Sequence, residues 1–232
     1  MRLMSIVYRC KLSMYKQRRL LDLFVSGCTA RAAACVVGVN RMTAILFFRK
    51  IRILIFLSRV YSQKLQGVVE VDECYTSSGE GGRKAAKQGR NLQGKIALIG
   101  AICRATRQVF IKRVSDTKKD TLNAFCCNNI SRNSVIHTDS FRSYNELKKY
   151  GFRHLKVNHF QTFKNFKTGA CTNLIESCWA VMRRHLIRFN GGFRNNLDLW
   201  LAEIEMRIET RRDFAKKLKL ALKHKLYKKT VL

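Results

Sequence analysis

A mixed α/β fold is predicted by three observations. Two short β-branched segments, residues 67–75 and 134–139, each deliver an aspartate at or near the end, Asp72 and Asp139. Between them lie two further strand-like runs, 95–103 and 108–114, joined by the short stretch Arg104-Ala105-Thr106-Arg107, which reads as a hairpin turn. Helical segments at 116–128, 143–150, 172–188 and 197–222 then alternate with the strand at 134–139 and a short one at 154–157. Three strands in hairpin order, followed by helix, strand, helix, strand and helix, make a mixed sheet with helices packed on it.

The chain begins with helices. Residues 17–25 carry Leu20, Leu21, Leu23 and Phe24, and Ser26-Gly27 ends that pattern. Thr29 can cap a short helix running to Val37, Gly38 supplies a tight turn, and Asn40 can cap a third helix. Two helices joined by a glycine turn, the second one basic, form a helix-turn-helix pattern over 1–58. Its DNA-facing candidates are Asn40, Arg41, Thr43, Arg49 and Lys50, with Arg52 on the same helix. The plainer alternative is a three-helix cap whose arginines are solvated. After the first strand, 76–94 is polar, rich in glycine and basic, with Lys84, Lys87 and Arg90, and reads as a mobile loop. The expected division is therefore 1–58 as a helical DNA-binding region, 67–190 as a catalytic domain and 191–232 as a basic helical tail.

Composition narrows the function. With 47% hydrophobic residues the 232-residue chain has enough apolar material for a real core, which excludes a disordered polymer. Lys and Arg number 46 against 15 Asp and Glu, a formal charge of +31. So large an excess calls for a polyanion, because each neutralised phosphate releases counterions. The charge is spread along the chain rather than gathered on one amphipathic helix, which favours nucleic acid over a membrane surface. The apolar stretch 44–57 is interrupted by Arg49, Lys50 and Arg52 and cannot span a bilayer, and no secretory signal is recognisable. None of the nine cysteines forms a C-x-x-C pair, so they read as small buried hydrophobes in a reducing compartment. A soluble, intracellular protein is expected.

In so basic a chain, two strand-borne aspartates and a helix-borne glutamate, Glu176, point to metal-dependent chemistry on nucleic acid. Phosphodiester cleavage by two metals needs carboxylates converging on ions about 4 Å apart. Mg²⁺ takes oxygen ligands and keeps several waters, so Asp72, Asp139 and Glu176 suffice where phosphate completes the shell. Each acid also has a plainer role. Asp72 is flanked by Glu70 and Glu73, and strand alternation puts Glu70 on its face and Glu73 on the other. Any of the three can be a solvated edge-strand acid, although a metal would relieve the repulsion on the shared face. Asp139 can cap the helix that follows. Asn173-x-x-Glu176 has the spacing of a capping box. Arg183 lies two helical turns beyond Glu176 on the same face, where a cation can hold phosphate, and Trp179 is expected to pack the helix onto the sheet.

The order of elements and the placement of the acids match the ribonuclease-H-like fold shared by many nucleases and integrases. The motifs narrow this further. Val-Glu-Val-Asp-Glu-x-Tyr, a basic glycine-rich loop, Gly94-Lys95 and His137-Thr138-Asp139-x-Phe-x-Ser-Tyr resemble bacterial insertion-sequence transposases of the DDE type, in the group related to Merlin transposons. The similarity runs through Val157-Asn158-His159 and Thr172-Asn173-x-Ile175-Glu176-Ser177-x-Trp179 to Arg183-Arg184-His185-Leu186, covering roughly residues 15–210. It implies a transposase with an ISXO2-like domain whose acids are Asp72, Asp139 and Glu176, using two Mg²⁺ or Mn²⁺ ions. Such enzymes cut at terminal inverted repeats and join the freed 3′-hydroxyls to target DNA, as a homodimer in a synaptic complex. A basic residue seven places after the glutamate is typical of the group, and Arg183 occupies it. Asn173 stands as a supporting or substitute group, and Arg183, Lys84, Lys87 and Arg90 as phosphate contacts. Leu174, Cys171 and Cys178 depart from the group's usual glycine, histidine and aromatic. A cytoplasmic, nucleoid-associated protein is implied, or a nuclear one in a eukaryote. The competing functions are a catalytically decayed transposase that only represses, and a structure-specific nuclease of the same fold.

The charge makes a direct prediction. Duplex binding should weaken roughly a thousand-fold or more between about 50 and about 200 mM salt, as for a protein making many phosphate contacts. Fluorescence anisotropy with a labelled duplex measures this, and a flat salt response would remove the polyanion argument.

Overall fold

The computed structural model describes residues 10–59, 63–77, 95–157, 169–189 and 191–227. In chain order the elements are helices α1 (Met14–Val25), α2 (Ala30–Val37) and α3 (Arg41–Ser58), then strands β1 (Val68–Ser77), β2 (Lys95–Cys103) and β3 (Val109–Val114). Helix α4 (Lys119–Asn129), strands β4 (Val135–Thr138) and β5 (Arg153–Lys156), and helices α5 (Asn173–Ile187), α6 (Leu197–Thr210) and α7 (Phe214–Tyr227) complete the set. They fall into two compact units, one within 1–60 and 210–232 and the other within 61–209.

In the first unit each of the first three helices starts at a polar side chain that accepts a backbone N–H. Ser13 serves Lys16, Thr29 serves Ala32 and Asn40 serves Met42, the last at 2.8 Å. Gly38, at φ 64°, turns the chain out of α2 in the left-handed region that glycine reaches without strain. Leu20, Phe24, Ala44, Phe47, Phe48, Ile51 and Ile55 are buried, and α7 adds Phe214 and Leu218. Arg52 lies in this interior, its guanidinium 5.3 Å from the centre of the Phe24 ring. It is therefore not among the solvated cations of α3.

The second unit is a five-stranded sheet in the order β3-β2-β1-β4-β5. β1, β2 and β3 are antiparallel neighbours, whereas β4 runs parallel to β1 and β5 parallel to β4. This is the mixed sheet expected of a ribonuclease-H-like fold. β1 is central, so Glu70, Asp72 and Glu73 do not lie on an edge strand. Alternation along β1 and β2 builds a core on each face. One holds Cys74, Leu98 and Ile102 against Ile175, Trp179, Met182 and residues of α6. The other holds Val69, Val71, Ile99 and Ala101 against Leu122, Phe125 and Tyr144.

Three local differences from the sequence reading have tertiary causes. The segment 143–150 forms two 3₁₀ turns, Arg142–Tyr144 and Leu147–Tyr150, rather than one helix. The fully buried Tyr144, whose hydroxyl donates to Glu73 at 2.8 Å, divides it. The segment 197–222 is two helices separated at Arg211–Asp213, where Arg211 has φ 44°. Finally, Phe193, Leu197, Trp200, Leu201 and Ile204 belong to the sheet's core. The stretch 191–209, assigned from sequence to the tail, thus packs with the sheet, and the tail's remainder with the N-terminal helices. α6 also covers the sheet's edge: the outward N–H groups of Val109 and Ile111 donate to Glu209 and Glu205, which blunts an otherwise open strand.

Gly100 has a specific steric role. It pairs with Asp72 across β1 and β2, and a Cβ there would stand 2.5 Å from the Trp179 ring and 3.1 Å from Ile175. Glycine lets the indole lie flat against the sheet. Gly100→Ala is expected to cost about 1–3 kcal/mol by overpacking, measured by urea unfolding, and to recover in part when combined with Trp179→Phe.

Candidate active site

Strand pairing relates the two aspartates. β1 and β4 pair Val68 with Val135, Val69 with Ile136 and Glu70 with His137. β4 ends one residue before Asp139, so this parallel register leads the chain toward the level of Asp72 on the neighbouring strand, and the charge of Asp139 acts on Asp72. Asp139 follows the last residue of β4, and its Oδ1 accepts the N–H of Phe141 at 2.9 Å. It therefore shapes the turn leaving the strand, but the N-cap of the 3₁₀ turn that follows is Phe141, so Asp139 is not the helix cap expected from its position.

Helix α5 is laid along β1 at three levels. The carboxylate of Glu70 accepts the N–H groups of Leu174 at 2.7 Å and Ile175 at 3.0 Å. Asp72 Oδ2 accepts the indole N–H of Trp179 at 3.0 Å. Arg183 Nη2 donates to Cys74 Sγ at 3.1 Å. Every second residue of the strand thus meets about every fourth residue of the helix. The match is geometric, since two strand residues advance about 6.6 Å and four helix residues about 6 Å.

Glu176 stands on this helix one turn before Trp179. Its carboxylate accepts the hydroxyl of Thr172 at 3.3 Å, and its side chain is exposed. The N-cap position belongs to Thr172, not Asn173, and the Thr172 side chain makes no cap hydrogen bond. The expected Asn173–Glu176 capping box is therefore not formed; Glu70 from β1 supplies the acceptor instead. Asn173 is an exposed first-turn residue.

Electrostatics sets Asp72 apart. Burial raises its pKa to about 7 from an ordinary 3.8, and the neighbouring carboxylates of Glu73 and Asp139 push the same way, against the Trp179 hydrogen bond. Two crowded, partly dehydrated carboxylates are the environment a hard divalent cation relieves, and oxygen donors of this kind suit Mg²⁺ or Mn²⁺. Among the described residues no three His, Cys, Asp or Glu side chains converge on one point, so waters or phosphate oxygens would fill the remaining positions. Glu70 does not compete for that role. It is fully buried, its pKa is raised by burial, and its oxygens are engaged by α5 and by Arg104 Nη1 at 2.8 Å.

Comparison with known proteins decides the family. The family model described as the ISXO2-like transposase domain matches residues 64–209, well over half of the chain and nearly the whole sheet unit. The chain belongs to the ISXO2-like transposase family. An uncharacterized transposase-like protein of Haemophilus influenzae is 31% identical over 100 residues, covering 43% of this chain and 80% of that protein. A chain of the cryo-EM structure of the simian T-cell lymphotropic virus intasome in complex with PP2A regulatory subunit B56 gamma aligns over 82% of this chain and 67% of its own. At a TM-score of 0.40 and 12% identity, that likeness is too distant to bear on function.

In this transposase-family chain the charge of Asp139 acts on Asp72 and Arg183 meets β1 at Cys74, whereas Glu176 is not gathered with the two aspartates into one cluster among the described residues. Lys84, Lys87 and Arg90 of the 76–94 segment, and Asn158-His159, lie outside the described residues. Sequence reasoning missed the roles of Glu70, Trp179 and Gly100. Strand parity placed Glu70 on the face of Asp72, but nothing in one sequence pairs residue 70 with residues 174 and 175. Of the departures from the group's pattern, Cys171 receives a hydrogen bond from Arg104, Leu174 presents its N–H to Glu70, and Cys178 is buried in the core. The helix start is built with them in place.

A pH dependence follows for the metal-free protein. The fold raises the Asp72 pKa, so its stabilising contribution is full below pH 3.8 and lost as pH rises through about 7. Asp72→Asn, always neutral, should exceed the parent in Tm at about pH 8, with the gap closing toward about pH 4. Thermal melts in a chelating buffer measure the difference.

Proposed function

We propose that this protein is a DNA transposase of the DDE type, in which Asp72, Asp139 and Glu176 hold the metal ions for strand cleavage and transfer. The observation that carries the reading is that Asp139 leaves the end of the strand laid parallel to β1 and acts by its charge on Asp72, in a sheet unit that matches the transposase family model. Bound Mg²⁺ or Mn²⁺ supplies activation of the attacking water or 3′-hydroxyl and neutralises charge on the departing oxygen. Asp72 and Asp139 would hold the ions, and the Trp179 indole N–H orients the Asp72 carboxylate for that role. Glu176 completes the set from the first turn of α5, where the helix's positive end favours an anionic scissile phosphate. Arg183 contacts DNA phosphate, joined by Lys84, Lys87 and Arg90. Asn173, exposed beside Glu176, assists at the same phosphate.

The helices α2 and α3 support a helix-turn-helix that reads the element's inverted repeats. Arg41, Arg49 and Lys50 are exposed on α3, with Thr43 partly so, while Asn40 caps its start. Two copies would hold two element ends in a synaptic complex and pass them to target DNA. One observation favours a binding-only repressor as the second reading: the Glu176 carboxylate accepts the Thr172 hydroxyl at 3.3 Å, a partner on its own helix.

The deciding assay is Mg²⁺-dependent cutting and joining of DNA carrying the gene's flanking sequence. The parent should cut at a repeat, while Asp72→Asn, Asp139→Asn and Glu176→Gln bind the same DNA without cutting it. Binding without cutting by the parent as well would establish the repressor, and cutting of branched DNA regardless of sequence would establish a nuclease. Arg49→Ala and Lys50→Ala should each weaken repeat binding and lower its salt slope by about one.

A further inference from the structure

Glu70 is the acid of this sheet whose surroundings are least like those of a surface group. Its side chain is fully buried on the central strand, two residues before Asp72 and on the same face. Four donors converge on it: the N–H groups of Leu174 and Ile175, Arg104 Nη1 and, at 3.7 Å, the Cys171 thiol. Arg104 Nη1 also donates to Cys171 Sγ, which ties this group of side chains together.

Leu174 and Ile175 are the second and third residues of α5. Their N–H groups are those a helix normally satisfies with its own N-cap side chain. Thr172 does not provide that bond, so the cap comes from a strand more than a hundred residues earlier in the chain. Because the helix and β1 advance in step, the first contact sets all later ones. Glu176 follows Ile175 directly, and Trp179 meets Asp72 one turn further on.

We infer that Glu70 is a positioning residue: by capping α5 from β1 it fixes the axial position of that helix, and so the placement of Glu176 and Trp179 relative to Asp72. The inference rests on the proposed site of Asp72, Asp139 and Glu176. A carboxylate here satisfies two adjacent amides at once and complements the positive end of the helix. The arginine reaches it from a side chain 42% exposed, closing the pocket from the solvent side. Loss of the carboxylate leaves two helix donors without their acceptor, and the polar contacts left to set the position of α5 along β1 are those of Trp179 with Asp72 and Arg183 with Cys74.

The test uses the full chain with Glu70→Gln, Arg104→Gln and Asp72→Asn. Mn²⁺ binding is followed by electron paramagnetic resonance of the free ion, and amide exchange is followed in a peptide spanning 172–179. Glu70→Gln should weaken Mn²⁺ binding about ten-fold or more, as loss of a group supporting metal ligands does, and should speed exchange in 172–179 while β1 and β2 keep their protection. Arg104→Gln, altered near the surface, should move both readouts the same way by less, and decides the matter if Glu70→Gln does not fold. Faster exchange with unchanged Mn²⁺ affinity would mean a cap that only stabilises, and would overturn the inference. Mn²⁺ binding lost as in Asp72→Asn, with exchange in 172–179 unchanged, would make Glu70 a ligand and overturn it equally. If Asp72→Asn itself leaves Mn²⁺ binding intact, the site reading falls and this inference with it. Binding that needs Asp72 but ignores Glu70→Gln overturns the positioning role alone.

Discussion

The alignment of α5 on β1 is the constraint on which the rest of the sheet unit depends. One strand face presents Glu70, Asp72 and Cys74 in succession, and the helix answers with two backbone amides, an indole and a guanidinium. These polar contacts lie within an apolar layer containing Ile175, Cys178, Trp179 and Met182. Apolar burial brings helix and sheet together without regard to where along the strand the helix sits. The hydrogen bonds choose the position, because a shift of one helical turn would take the two α5 amide donors away from the buried Glu70 carboxylate. Gly100 makes the approach close enough for the indole to reach Asp72.

The scarcity of acids gives their placement weight. Only 15 Asp and Glu stand against 46 Lys and Arg, and Glu70, Glu203 and Glu205 are buried in the sheet unit. Each buried one has a defined partner: α5 amides and Arg104 for Glu70, the Ile111 amide for Glu205, Arg207 at 2.8 Å for Glu203. Acids enclosed in this way do little to neutralise the surface, which is left more basic than composition alone conveys. Against that background the pair Asp72 and Asp139 is a local exception, a concentration of negative charge on a cationic protein.

The same economy appears at the sheet's edges. β3 would expose a row of backbone donors, and α6 covers them with Glu205 and Glu209, one helical turn apart. This is why 191–209 belongs with the sheet: its apolar residues complete one core while its acids close an edge. The basic stretch beyond it shares the aromatic core of the N-terminal helices, with Phe214 6.4 Å from Phe24.

Much of this was determined by the sequence on its own. Short β-branched and apolar runs bounded by turn residues located β1 to β5, because strand-forming stretches and the turns that end them are local signals. Ser/Thr/Asn caps and Gly38 marked the first three helices, since capping is local chemistry. The candidate acids Asp72, Asp139 and Glu176 were singled out by motif and position. Tertiary structure alone decided which acids meet and which do other work. The parallel pairing of β4 with β1 leads Asp139 toward Asp72, Glu70 caps a helix a hundred residues away, and Trp179 touches an aspartate rather than only packing. Tyr144 splits a helix-like segment, and Arg52 leaves the exposed face for the core. The reason is common to all of these: each is a contact between residues distant in the chain, and local periodicity carries no record of the partner.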